Sequence, residues 1–228
     1  MNEQHVLTVP AACVRDLLGE SRLYHDSRSI LAIQSLVADG KYVPREAAEQ
    51  DGSVMQIICC GVVYHNRRVL CIRRSKKGNR SALRLKWTLM IGGHVDQLDA
   101  DSPAPVFSCL ERELREEVGL RPTGESNQIG IISDFENPVG RLHLGIIYQV
   151  AVSDDHVKIG PKDDSGEFAN VRRPRVLRFM SGEEVFELRG KPDPWSRLFV
   201  ASEPAWQILG MSSQFSDQGT LRLNWNTH

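Results

Sequence analysis

Apolar and polar positions change period several times along the chain, and each change marks an element. Residues 57–63, Ile-Ile-Cys-Cys-Gly-Val-Val, form an unbroken apolar run of strand length, and Val69-Leu70-Cys71-Ile72 follows a turn at His65-Asn66. Residues 57–73 therefore predict a hairpin. Residues 85–95 predict a strand that runs into the glycine turn Gly92-Gly93, and residues 128–132 and 142–150 predict two more strands. Helical spacing governs residues 13–18 and 29–37, the second stopped by Asp39-Gly40, and residues 44–49 predict a further short helix. The clearest helical stripe is Val106, Phe107, Leu110, Leu114 and Val118, closed by Gly119. Residues 182–188 predict a helix, and residues 194–209 a last amphipathic one that packs Trp195, Leu198, Phe199 and Trp206 and that Pro204 should interrupt. Residues 154–166 read as a polar loop. Strands interleaved with helices imply an α/β fold, a mixed sheet between helices.

Charge sharpens the picture at one place. At 3.6 residues per turn, Glu113, Glu116 and Glu117 fall within an arc of roughly 100° beside the apolar stripe. Glu113 and Glu117, spaced i,i+4, repel by ~0.2–0.5 kcal/mol, and partial burial adds a desolvation cost. Something cationic should compensate. Clustered carboxylates with a loop carbonyl from Gly92 or Gly93 suit Mg²⁺ or Mn²⁺ rather than zinc, and a carboxylate-held cation of this kind serves phosphate chemistry. The plainer alternative is a solvated helix in which Arg112 pairs with Glu116.

The run Arg112-Glu113-Leu114-Arg115-Glu116-Glu117-Val118-Gly119-Leu120 resembles the second half of the Nudix hydrolase box at every position. The first half departs. The family places a glycine fourteen residues before the box arginine and a glutamate eight before it, whereas Gly93 lies five residues too far upstream and Ala104 holds the glutamate position. An insertion within residues 98–105 accounts for both, and Asp96, Asp99 and Asp101 are the candidates to replace the glutamate. The predicted hairpin, the strand before Gly92, and residues 139–145 and 180–185 extend the resemblance over roughly residues 55 to 200, with likeness to a phosphoesterase subgroup. The resemblance implies a Nudix-type α/β/α sandwich. It also implies a Mg²⁺- or Mn²⁺-dependent pyrophosphatase or phosphoesterase in which water attacks phosphorus of a small diphosphate compound. Glu116 and Glu117 would bind metal, Glu113 would complete the site or deprotonate water, Arg112 would orient a carboxylate and the Gly93 carbonyl would be a ligand. Arg73 or Arg74, at the end of the second hairpin strand, and His94, after the glycine turn, would touch substrate.

Composition leaves these readings standing and removes others. A formal net charge of −1, with no apolar run near the ~18 residues of a spanning helix, speaks against a nucleic-acid polymer or a membrane as partner. The absence of a signal-peptide pattern after Met1 predicts a cytoplasmic protein. The five cysteines show no zinc spacing and read as reduced thiols. Nine cations between Arg67 and Lys86 read as a solvated loop or a phosphate-steering rim around Gly78-Asn79. His143 and Trp87 read as packed core residues, and Glu183 and Glu184 as acids that complement a helix N-terminus or supply an extra ligand or base. Residues 1–53 are expected to be a helical extension packed on the main domain or forming a homodimer face, residues 54–210 the catalytic domain, and 211–228 a tail. Two other functions compete: a non-catalytic domain binding a nucleotide or sugar phosphate, and an isoprenoid diphosphate isomerase using a reactive cysteine, which the apolar setting of Cys59 and Cys60 disfavours.

Overall fold

In the computed structural model, which describes residues 3–19, 22–74, 85–123, 126–136, 138–153, 157, 177–188 and 191–209, the elements follow the expected changes of period closely. They are β1 (His5–Pro10), α1 (Ala11–Leu18), β2 (Leu23–Tyr24), α2 (Ser27–Ala38), β3 (Lys41–Pro44), α3 (Arg45–Ala48), β4 (Val54–His65), β5 (Arg68–Arg73) and β6 (Trp87–Thr88). After these come α4 (Pro105–Val118), β7 (Asn127–Ser133), β8 (His143–Ala151), β9 (Leu177–Met180), α5 (Gly182–Glu187), α6 (Pro194–Val200) and α7 (Glu203–Leu209). The fold is mixed α/β with a mixed sheet: the paired strands with a defined register run antiparallel, and Trp87 bridges Pro192 in parallel. Lys76, Lys77, Arg80, Arg84, Gly78-Asn79, most of the loop at 154–166, the side chain of Trp206 and the tail 211–228 lie outside the described residues. Among the described residues, no helix is long and apolar enough to cross a membrane.

Two compact units divide the chain: Met1–Gly61 with Gly92–Glu113 and Asn127–Tyr148, and Val62–Ile91 with Leu114–Ser126 and Gln149–His228. In the first, the strand order is β2-β7-β8-β4-β1-β3. The first 53 residues are not purely helical as expected. They supply β1, which pairs with β3 from His5↔Pro44 to Thr8↔Lys41 and with β4 from Thr8↔Gln56 to Pro10↔Val54, and β2, which pairs with β7 through Leu23↔Ile132. Pairing partners decide these short strands more than intrinsic preference does, which is why helical periodicity alone missed them. Val6, Leu7 and Val9 of β1 are buried, with Val14 of α1 and Ile33 of α2.

In the second unit, β4 turns into β5 at Asn66 and Arg67, whose positive φ angles of 48° and 59° give the turn whose twist matches a hairpin. β5 pairs with the end of β4 (Tyr64↔Val69), with β6 (Ile72↔Thr88) and with β9 (Val69↔Met180 to Ile72↔Leu177). The predicted terminal helix is two helices, with Pro204 in the first turn of α7. Phe199 is buried, and Trp195 and Leu198 are half-buried.

Helix α4 explains its own boundaries. It opens on Pro105, whose fixed φ suits a first helical position, and ends at Gly119, whose φ of 65° turns the chain so that Leu120 N–H returns to Leu114 O at 3.2 Å. Val106, Leu110, Leu114 and Val118, spaced every fourth residue, are all buried, and each contributes ~1.5–3 kcal/mol of apolar burial. Phe107 at the stripe's edge is half-buried and stands 6.0 Å from the Tyr148 ring.

Candidate active site

The site grows from the segment that joins the glycine turn to α4. Val95 N–H donates to Ile57 O, and Cys59 N–H donates to Gly93 O at 3.0 Å, so the turn lies along β4. Gly92 has a φ of 151°, and a Cβ there would run into the Cys59 carbonyl; only glycine fits. At Gly93 a Cβ would come 2.7 Å from Glu113 Oε1. The missing side chain is thus the space that the Glu113 carboxylate fills.

After the turn, Asp96 begins a short 3₁₀ helix, Gln97–Asp99, closed by a reciprocal capping box: Asp96 Oδ1 accepts Leu98 N–H at 2.9 Å and Asp99 Oδ2 accepts Asp96 N–H at 3.1 Å. This aims Asp99 at α4. There Arg112 Nε donates to Asp99 Oδ1 at 3.2 Å and Nη2 to Asp99 Oδ2 at 2.9 Å, a two-pronged pairing. The same guanidinium reaches Glu113 Oε1 at 2.6 Å, the His94 carbonyl at 3.3 Å and Asp96 Oδ2 at 3.7 Å. Burial opposes the charge of Arg112, but its hydrogen bond to Asp99 and the charges of Glu113 and Asp99 hold its pKa above the ordinary value. The guanidinium stays charged and ties three carboxylates to one point.

Of the three acids that the sequence left open, Asp99 is the one in two-pronged contact with Arg112. Counted from the arginine, the family's glutamate position falls on Ala104; counted forward, fourteen minus eight places it six residues after the glycine, and six after Gly93 is Asp99. On the forward count, the inserted residues follow Asp99. Cys59, Cys109 and Tyr42 were not expected near the site. Their signal is weak in sequence: Cys109 shares a face with Glu113 at i,i+4, and Tyr42 sits on a strand whose pairing was unforeseen. Burial first, then the charges of Asp99 and Asp96, raise the Tyr42 phenol above its ordinary pKa.

The other expected residues are placed as follows. Glu113 is buried, at 4% exposure, while Glu116 and Glu117 on the next turn of α4 are half-buried. Among the described residues, no three His, Cys, Asp or Glu side chains are gathered closely enough to hold a metal ion. The oxygen chemistry of the candidate donors nonetheless fits a hard cation, and Gly93 leaves room for a carboxylate where a side chain would block it. His94 is half-buried, and its ring meets His143 edge-on at 5.4 Å. His143 is buried as expected, and its Nδ1 donates to Val139 O at 2.6 Å. In the second unit, Arg73 Nε donates to Leu85 O at 3.5 Å, and Arg74 N–H donates to Lys86 O at 2.9 Å. Trp87 is buried, and Glu184 caps α5 from within its own turn.

Comparisons with known proteins bear on the family and the fold. A family model described as NUDIX domain matches residues 55–201, more than half of the chain. Protein YmaB of Bacillus subtilis (strain 168) is 32% identical over 126 residues, which cover 54% of this chain and 61% of that protein, so the chain spans less than two thirds of that relative's length. Among solved structures, Tm1382 superposes with a TM-score of 0.67 at 23% identity, covering 90% of this chain and 98% of that one. A MutT NUDIX hydrolase from Burkholderia pseudomallei gives 0.47 at 17%, covering 64% and 98%. At 23% identity the likeness to Tm1382 bears on the fold alone.

Proposed function

The chain belongs to the NUDIX family, and from that premise we propose that it is a hydrolase that uses Mg²⁺ or Mn²⁺ to cleave a small diphosphate-containing compound by attack of water on phosphorus. The observation that carries this reading is Glu113: a buried carboxylate lodged in the space left by Gly93 and held by Arg112 at 2.6 Å. A buried charge is costly unless paired, and a protein retains such a group where its position is used.

In this reading Glu116 and Glu117 are the principal cation ligands, Glu113 completes the set or takes the proton of the attacking water, and the Gly93 carbonyl adds an oxygen donor. When bound, the cation acidifies a coordinated water and offsets charge at the phosphoryl group. Asp99, through its pairing with Arg112, keeps the Glu113 carboxylate in one orientation. Arg73, Arg74 and His94 are assigned to the substrate's phosphates. The near-neutral formal charge of −1 favours a small molecule over a polymer.

The test is Glu117→Gln, which keeps shape and removes charge. Diphosphate compounds are incubated with Mg²⁺ or Mn²⁺ in ¹⁸O-water, and products are followed by phosphorus NMR and mass. Turnover is expected to fall by roughly 10²-fold or more, the scale of a lost acid–base or electrostatic group, with an unchanged circular dichroism spectrum. Near-native turnover in the variant overturns the assignment, and a chain that binds these compounds without releasing product is a binding domain instead.

A further inference from the structure

Cys59 on β4 and Cys109 on α4 face each other with their sulfur atoms 3.1 Å apart, both fully buried. The pair has a defined setting. Gly93 N–H donates to Cys59 Sγ at 3.4 Å, Cys109 Sγ donates to the His94 carbonyl at 3.2 Å, and Arg112 Nη2 donates to Cys109 Sγ at 3.4 Å. These are the groups that hold the glycine turn and the Arg112 pairing, and Cys109 lies one helical turn before Glu113. All five cysteines are free thiols.

We propose that Cys59 and Cys109 form a modification site, a dithiol that a small hydroperoxide converts to a disulfide. Cys59, which accepts the Gly93 N–H, loses its proton and attacks the peroxide oxygen. The O–O bond breaks, the leaving oxygen departs as alkoxide or hydroxide and takes up that proton, and Cys59 becomes a sulfenic acid. Cys109 then attacks the Cys59 sulfur and displaces hydroxide, which takes the Cys109 proton as water. The two thiols are oxidised by two electrons and the peroxide is reduced to an alcohol, or water, plus water. A peroxide suits this site because it is small and neutral, whereas a larger disulfide reagent would have to enter a fully buried pair. Both sulfurs are buried, so the second step needs a local opening and is slow.

Closing the bond brings the sulfurs to ~2.05 Å, about 1 Å nearer than they stand, and draws the first turns of α4 toward the strand that supports Gly93. The Glu113 carboxylate already touches the Gly93 position, so oxidation moves the two parts of the candidate site against each other.

The full chain is treated with hydrogen peroxide, quenched, alkylated without reduction and digested, with exposed Cys13 as an internal reporter that the oxidant is active. Expected are a loss of two hydrogens in mass, a peptide pair joined through Cys59 and Cys109, reversal by dithiothreitol, and a higher melting temperature of oxidised Cys13→Ser protein from the closed 50-residue separation. Oxidation of Cys13 with Cys59 and Cys109 still alkylatable overturns the proposal. So do oxygen adducts on either buried cysteine without a link, or a link to Cys60 instead. Because mass alone scores the bond, the result stands apart from whether the chain hydrolyses diphosphates.

Discussion

At Asp96 and at Ser181 the chain starts a helix in the same way. In each, a short polar side chain caps the first turn while an acid three residues on reaches back to the cap's own N–H: Asp99 to Asp96 at 3.1 Å, and Glu184 to Ser181 at 2.9 Å. In each, that acid also meets an arginine from another element, Arg112 at 2.9 Å and Arg68 at 2.8 Å. What differs is solvent. The Arg112 and Asp99 side chains are 13% and 2% exposed; those of Arg68 and Glu184 are 50% and 32%. Water can replace Arg68 for Glu184, whereas burial at 2% and 4% exposure keeps water from replacing Arg112 for Asp99 and Glu113. One local plan therefore yields a dispensable surface pair and an indispensable buried one.

The sharpest way to break this comparison is Arg112→Met, which keeps bulk and removes the cation. It takes the guanidinium away from buried Asp99 and Glu113 and is expected to cost ~3–5 kcal/mol of stability in urea denaturation. A loss under ~1 kcal/mol would mean that the two pairs are equivalent after all. Asp99→Asn should cost less, about 1.5–3 kcal/mol, because the amide retains a hydrogen bond to the guanidinium and Glu113 still balances part of the charge. It should also lower kcat more than it raises KM, since Asp99 acts on Glu113 through Arg112 rather than on substrate. An unchanged kcat would leave Asp99 as a purely structural acid.

At the exposed pair, Arg68→Ala should change stability by only ~0.2–1 kcal/mol, and less in high salt. The pH dependence there has a fixed sign. The Ser181 N–H first, then the charges of Arg68 and Arg178, hold the Glu184 carboxyl below its ordinary pKa. Its contribution is therefore complete above the unfolded value of ~4.3 and is lost as pH falls through the folded one. Glu184→Gln should flatten that part of a stability profile measured from pH 5 downward, and a steeper profile in the variant would contradict the sign.

The two regions were not equally legible in the sequence. Helix α4 was open to reading because the repeat of Val106, Leu110, Leu114 and Val118 and the stop at Gly119 are local signals, and they fixed the strip on which Glu113, Glu116 and Glu117 lie. The hairpin of β4 and β5 was legible for the same reason. β1, β2 and β3 were not: β2 has two residues and β3 four, and their strand character comes from partners far along the chain. The missing box glutamate was half-legible, since Asp99 was one of three candidates to replace it and the contact with Arg112 is what sets it apart. The Cys59 and Cys109 pair was invisible, because nothing in a sequence says that two buried thiols fifty residues apart share one layer of the core.

Residues 100–104 lie between the end of the 3₁₀ helix and the start of α4, and neither Asp99 nor Arg112 relies on them for its two-pronged contact. Two anchor points joined by a turn whose own bonds are local make that stretch a natural splice point. A tag or a foreign peptide grafted there should leave the anchors engaged, and a search template with a rigid gap would pass over any relative whose turn had grown by the same route.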